Sequence, residues 1–231
     1  MKTLRTVLSL LLLAMTPCLL VAQEQSVKPG INKSYEKADL QQKVKQFENE
    51  NRDVVRHLDA IVDACQLKPG MDVADIGAGT GLFTRPFAPK VGPKGTIYAV
   101  DITEKFLEHV EQTCKEEELA NVKCVLCTPE STELPPDSID LAFTCNTYHH
   151  FEYPFKTLAS IHRALRDGGR LIIVDFERKE DGPKWILGHV RADKETVVKE
   201  ATDAGFKFDD EVDLMKTQYL IRFTKEAKDP G

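Results

Sequence analysis

The sequence has no surplus of positive charge, no even set of cysteines outside its leader, no internal repeat and no glycine at the third position of a dinucleotide fingerprint. Each absence closes off a class of function. Thirty-one Lys and Arg face 37 Asp and Glu, a formal charge of −6, and binding to phosphate backbones needs a basic footprint. Nucleic acid is therefore excluded as the expected partner, leaving small molecules or proteins. Of the six cysteines, five follow the leader: Cys65, Cys114, Cys124, Cys127 and Cys145. An odd number leaves at least one thiol unpaired in a monomer, which is not the pattern of a disulfide-built secreted domain. Cys124 and Cys127 have a redox-like spacing, but NVKCVLC reads as a strand, where that spacing sends the side chains to opposite faces. The redox motif needs a helix start, so these two are read as small buried apolar residues.

What is present begins with MKTLRTVLSLLLLAMTPCLLVAQ. Lys2 and Arg5 precede an apolar core from Val7 to Met15, then helix-breaking Pro17 and small Ala22, the pattern of a secretory signal peptide over residues 1–22. Export to the periplasm or the extracellular space is the expectation; a misread leader would leave the chain cytoplasmic. Cys18 invites a lipoprotein reading, but Met15, Thr16 and Pro17 make a poor lipobox. An uncleaved leader would be the only route to a membrane, since its apolar stretch approaches the length of a span. Residues 23–37 are polar, with Pro29, Gly30 and Asn32, and read as an extended linker. At 231 residues and 42% hydrophobic, the remainder suits one domain with a sizeable core, taken as residues 38–225.

The stretch MDVADIGAGTGL, Met71 to Leu82, organises that domain. Val73, Ala74 and Ile76 form an apolar strand that carries Asp75, then turns through Gly77, Ala78, Gly79 and Gly81 into a helical pattern. Strand, glycine loop and helix make a nucleotide-cofactor entry point. The dinucleotide spacing would need glycine where Leu82 stands. The acidic-apolar-Gly-x-Gly-x-Gly order resembles motif I of the class I S-adenosylmethionine (SAM)-dependent methyltransferases, and every position of that pattern is filled.

Elsewhere, periodicity places the elements. Asp39 caps a helix whose apolar positions Leu40, Val44, Phe47, Val54, Leu58, Ile61 and Val62 bury one face. Its polar side, with Glu48, Asn51, Arg52 and His57, is either a solvated face or, as the resemblance allows, part of a lid over the cofactor. Leu82 to Ala88 reads as a short helix ended by Pro89, TIYAVD as the second strand, Glu104 to Glu118 as an amphipathic helix and Val122 to Cys127 as the third strand. IDLAFTCN and RLIIVDFE follow as buried strands on either side of a helix from Pro154 to Leu165. RKEDGPKWILGHVRAD reads as a loop, Lys194 to Ala204 as a helix, and FKFDDEVD with TQYLIRFT as an antiparallel hairpin. Alternating strands and helices give an α/β, Rossmann-like, mostly parallel sheet with helices on both faces. The resemblance implies seven strands, the last inserted antiparallel beside the fifth.

By the same resemblance, Asp75 and the loop from Gly77 to Gly81 hold the methionine part of SAM, Ile102 lines the adenine pocket and Asn146 closes over the methionine end. Asp101, about twenty residues past the glycines, can accept both ribose hydroxyls; it can also cap the helix that follows. Glu130 is matched to the acidic residue near the adenine amino group. Tyr148, His149 and His189 are the candidate catalytic bases for an acceptor that must lose a proton, beside Arg191 and Trp185 in the last loop. Adjacent His149 and His150 are not expected to face one way, so no metal site is expected, and one of them can serve simply as a cap. The implied activity is methyl transfer from SAM to a small-molecule acceptor. An exported, non-catalytic SAM- or nucleoside-binding protein of the same fold and a dinucleotide oxidoreductase are the alternatives, and Leu82 argues against the last.

Overall fold

A computed structural model describes residues 23–226; the predicted signal peptide lies outside the described residues. Seven strands form one sheet in the order β3-β2-β1-β4-β5-β7-β6. β1 (Val73–Ile76), β2 (Ile97–Asp101), β3 (Val122–Leu126), β4 (Ile139–Cys145) and β5 (Leu165–Phe176) run parallel. β6 (Phe206–Glu211) and β7 (Gln218–Lys225) form an antiparallel hairpin, with β7 also antiparallel to β5. The fold class and strand arrangement are those expected.

The central strands have both faces covered, so they are apolar without alternation. All four residues of β1 are buried, as are Leu171 to Asp175 in β5. Helix α5 (Thr84–Val91) follows the glycine turn and α6 (Glu104–Glu116) follows β2. In α6, Phe106, Leu107, Val110 and Cys114 recur at helical spacing and are the buried positions. Phe, Leu and Val side chains such as Phe106, Leu107 and Val110 contribute roughly 1.5–3 kcal/mol each when fully removed from water. α7 (Pro154–Ala164) and α9 (Lys194–Asp203) complete the covering layers, with Pro154 at the start of α7, where a missing N–H costs nothing.

Four expectations are corrected. Residues 23–37 are no free linker. They contain α1 (Lys33–Glu36) and are bonded to the domain: Val27 donates its N–H to the Glu152 carbonyl at 2.9 Å, and Ser26 donates to the Glu152 carboxylate at 2.9 Å. The long helix from Asp39 is three pieces, α2 (Leu40–Phe47), α3 (Asp53–Arg56) and α4 (Leu58–Ala64). Its apolar spacing is helical, but Asn49 breaks it by accepting the N–H groups of Asn51 and Arg52, a local turn that competes with the helix. Asp53 then pins α3 by accepting from the N–H groups of Lys216 and Thr217 ahead of β7. Pro89 does not end α5, which runs on to Val91. Finally, the loop after β5 carries the short helix α8 (Lys184–His189).

Candidate functional site

The strand order reverses between β1 and β4, and ligands in such sheets bind beyond the carboxyl ends of the strands at that point. A pocket opens there, lined by the turn after β1, by Asp101 and Ile102 after β2, and by Cys145 to Thr147 after β4. Asn32, Tyr35, Phe47 and Arg52, all from the segment ahead of β1, roof it. Tyr35, Phe47 and Phe106 meet with ring centroids 6.0–6.3 Å apart. The polar face of the α2–α3 region therefore reaches the pocket through Arg52, whose guanidinium donates to the Phe47 carbonyl.

Much of the glycine turn's backbone is spoken for. Gly77 and Ala78 donate their N–H groups to the Val100 carbonyl, at 2.7 and 3.1 Å, clamping the turn to β2. Gly77 has φ +73°, and a Cβ there would overlap the Thr147 methyl. Only glycine fits between the loops after β1 and β4. Gly81 does not line the pocket; it gives way to Val110 of α6, which a Cβ would meet at 3.1 Å.

Asp101 is buried yet holds both carboxylate oxygens in place, one accepting the Gly79 N–H at 2.9 Å and the other the Thr103 N–H at 2.8 Å. Burial raises its pKa, against the pull of those N–H groups. The Asp75 carboxyl, wholly enclosed and accepting from the Thr84 hydroxyl at 2.6 Å, is pushed up to about 7, first by burial and then by the neighbouring charge of Asp101. Asp101 beside Asp75 favours a cationic ligand, whose charge would in turn help Asp75 to ionise. Asn146 adds the clearest polar demand: its φ is +51°, and neither its Nδ2 nor its Oδ1, both buried, has a partner among the described residues. The Thr80 hydroxyl on the same pocket is likewise buried and unpaired among them. Thr80 carries no signal in the sequence beyond its place between two glycines.

Asp75, Gly77, Ala78, Gly79, Asp101, Ile102 and Asn146 thus all line the pocket. Glu130 does not: its neighbours Pro129 and Ser131 do, but its own carboxylate is exposed and pairs with Lys156 at 2.8 Å. Tyr148 is also placed elsewhere. Its ring is fully buried in the core beneath the pocket, and its hydroxyl donates to Glu200 at 2.7 Å. Arg191 grips the same Glu200 with two bonds of 2.9 and 2.7 Å, so Tyr148 braces the loop after β4 to α9 and Arg191 braces the α8–α9 connection to it. Trp185 is half exposed, edge-on to Phe176.

The histidines form one group, which corrects the expectation that neighbours in sequence would diverge. Tyr148–His150 is a 3-10 turn, in which successive side chains differ by about 120° rather than the 180° of a strand. The rings of His149 and His150 lie 4.3 Å apart between centroids, and His189 of α8 meets each at 5.0 Å. His149 is buried against Asp175, donating its backbone N–H at 2.9 Å and its Nδ1–H at 2.7 Å. His150, not His149 or His189, is the member that lines the pocket. Burial, with the charges of His149 and His189 next, pushes the His150 imidazole down to about 2, and burial also lowers His189. The turn after β4 and the end of α8 in the loop after β5 therefore meet through these rings.

Against known proteins, residues 74–173 match the family model of a methyltransferase domain. The chain is 32% identical over 115 residues to the ubiquinone/menaquinone biosynthesis C-methyltransferase UbiE of Bordetella parapertussis, a match covering 48% of this chain and 43% of that one. It spans less than half the length of that relative. Among solved structures, a SAM-dependent methyltransferase from Aquifex aeolicus superposes with TM-score 0.72 at 24% identity, over 82% of this chain and all of that one. A possible exported protein from Bordetella parapertussis superposes with TM-score 0.59 at 15% identity, covering 75% of this chain and 68% of the other. These superpositions concern the fold.

Proposed function

We propose that the protein is a class I SAM-dependent methyltransferase acting on a small-molecule acceptor. The observation that carries this reading is the pair of ligand-facing polar groups across the glycine turn: the aligned Asp101 carboxylate on one side and the unpaired Asn146 amide on the other. They fit a ligand with a diol at one end and a charged amino acid at the other, and the glycine cradle leaves it room. Asp101 accepts the ribose hydroxyls, Ile102 and Phe106 flank the base, and Asn146 with Thr80 pairs with the amino-acid end. A cationic donor would favour the ionised form of Asp75, which then supplies the opposite charge. SAM, when bound, supplies an activated methyl that an acceptor attacks in line with S-adenosylhomocysteine as the leaving group, so the chain's main task is positioning. Tyr35 and Phe47 exclude water from above, and His150 faces the acceptor side. A general base is required only for an acceptor that must lose a proton.

Titration calorimetry with SAM, S-adenosylhomocysteine and NAD tests the reading. SAM and S-adenosylhomocysteine are expected to bind one per chain. Asp101→Ala, shown folded by circular dichroism, should weaken SAM at least tenfold, since charge-assisted hydrogen bonds contribute roughly 1.5–3 kcal/mol each. Preference for NAD would establish an oxidoreductase, and SAM binding without turnover on any acceptor class a binding protein. We further propose export, supported by the cations and apolar core of the leader; mass spectrometry of the protein from its native host should find a new N-terminus between Ala22 and Gln25.

A further inference from the structure

The histidine cluster has a geometry that the methyltransferase reading does not require. One ring nitrogen from each of His149, His150 and His189 lies within 4.8 Å of the other two. The Nε2 atoms of His150 and His189 are 3.3 Å apart. Two nitrogens bound to one tetrahedral zinc at 2.0–2.1 Å are separated by about 3.3–3.4 Å, so this pair is already at ligand spacing. The other ring nitrogens of His149 and His150 are held from behind. His149 donates Nδ1–H to the buried Asp175 carboxylate, which can only accept, and this leaves its Nε2 with the lone pair. His150 Nδ1 faces the Asn32 amide oxygen at 3.2 Å, which again assigns the proton to Nδ1 and the lone pair to Nε2. A carboxylate or amide oxygen behind a ligating imidazole is the arrangement that orients histidines at metal centres, and His149 and His150 both have one.

We propose that His149, His150 and His189 form a three-nitrogen site for a zinc-class divalent cation at the acceptor end of the pocket. Three imidazoles leave a fourth position open, the pattern of catalytic rather than structural zinc. His150 lines the pocket, and that places the open position on its side. On the methyltransferase reading, on which this clause rests, the open position takes the acceptor: a hydroxyl or thiol coordinates, releases its proton to solvent and presents its lone pair to the methyl, the new bond to carbon forming as the carbon–sulfur bond of SAM breaks and S-adenosylhomocysteine leaves. The groups facing the site are mixed in charge. Asp175 is negative, while Lys28, whose ammonium bonds the Gly188 and His189 carbonyls, and Lys43, over the Tyr35 ring, are positive. Tyr35, with its hydroxyl 3.5 Å from His150 Nε2, must turn aside as a cation enters. The simpler occupant of this geometry is a hydrogen bond between His150 and His189, and the two predict different behaviour.

The test uses the exported-form chain, residues 23–231, stripped with chelator and titrated with Zn²⁺ alone by calorimetry, and separately with Co²⁺ followed by visible absorption. One Zn²⁺ per chain at micromolar affinity or better, and cobalt bands of a four-coordinate site, are expected. His189→Ala, at a half-buried position outside the packed core, should weaken Zn²⁺ at least a hundredfold, and Asp175→Asn ten- to a hundredfold. No stoichiometric binding, or binding that survives both His189→Ala and His150→Ala, overturns the site, the second by assigning the metal to cysteines. SAM affinity measured on the same samples separates the readings: SAM binding without zinc removes only this proposal, and zinc without SAM removes only the methyltransferase.

Discussion

Asn146→Gly should make the free protein more stable and the ligand weaker. The backbone there sits at φ +51°, a region asparagine tolerates better than most residues and glycine tolerates freely. Glycine's extra entropy in the unfolded chain costs about 0.5–1 kcal/mol and roughly offsets the relief of strain. What remains is the side-chain amide, with Nδ2 and Oδ1 both buried and unpaired among the described residues. A buried polar group without a partner costs about 1–3 kcal/mol, so the substitution should stabilise the free protein by about 1–3 kcal/mol. For a domain of this size that is a rise of several degrees in Tm. SAM loses the hydrogen bonds that the amide would make, and tenfold in affinity is about 1.4 kcal/mol. Urea titrations monitored by Trp185 fluorescence, with and without saturating SAM, measure both. The mutant should lead without ligand and, with it, lose about 1.4 kcal/mol of that lead for each tenfold of weakened affinity, because bound ligand adds RT ln(1 + [L]/Kd) to the native state. Lower stability of the free mutant together with unchanged SAM affinity would refute the reasoning and make Asn146 a structural residue.

Asp75 predicts a pH dependence. Its carboxyl is near 3.8 when unfolded and about 7 when folded, so the native state holds the extra proton, and its contribution is full below pH 4 and lost as pH rises through 7. Asp75→Asn should therefore flatten the stability profile between pH 4 and 8, by up to about 4 kcal/mol, since each tenfold change in proton affinity is worth about 1.4 kcal/mol; parallel profiles for mutant and parent would reject the assignment. Gly77→Ala should cost about 2–4 kcal/mol from the left-handed backbone and overlap with Thr147. In a Thr147→Gly background the overlap vanishes and only the backbone part should remain, which a double-mutant cycle in urea resolves; equal costs in both backgrounds would deny the contact. Glu130→Ala should leave SAM affinity within twofold by calorimetry, since its carboxylate serves Lys156.

The parallel sheet is legible because burial on both faces writes itself as unbroken apolar runs such as Leu171 to Val174, and the glycine turn because Gly77 has no substitute beside Thr147. Asp101 and Asn146 are legible by position, each closing a strand that the topology aims at the pocket. Glu130 is easily misplaced because an acidic residue in a turn-rich loop has no periodic signal to fix which way it points. Tyr148 and Arg191 look chemical, but their shared partner Glu200 lies on a helix some fifty residues away from the tyrosine, a pairing that no local pattern reveals. The pocket-facing role of His150 is hidden for a related reason. Strand alternation governs the approach to Cys145, and the 3-10 turn that brings adjacent rings together begins three residues later.

The roof of the pocket is made from residues that precede the first strand, while the surfaces it closes against come late in the chain. Asn32 bonds the His150 carbonyl and Lys28 the His189 carbonyl, across 118 and 161 residues respectively. Contacts of such long sequence separation are the slowest to be made, because chain entropy must be spent before they contribute. Closure should thus be among the last events of folding and among the first to reverse, with amide protons of residues 28–47 exchanging well before those of β1 and β5. The same loosely held edge would let a ligand enter and leave without disturbing the sheet, so the order of assembly and the rate of turnover would share one gate.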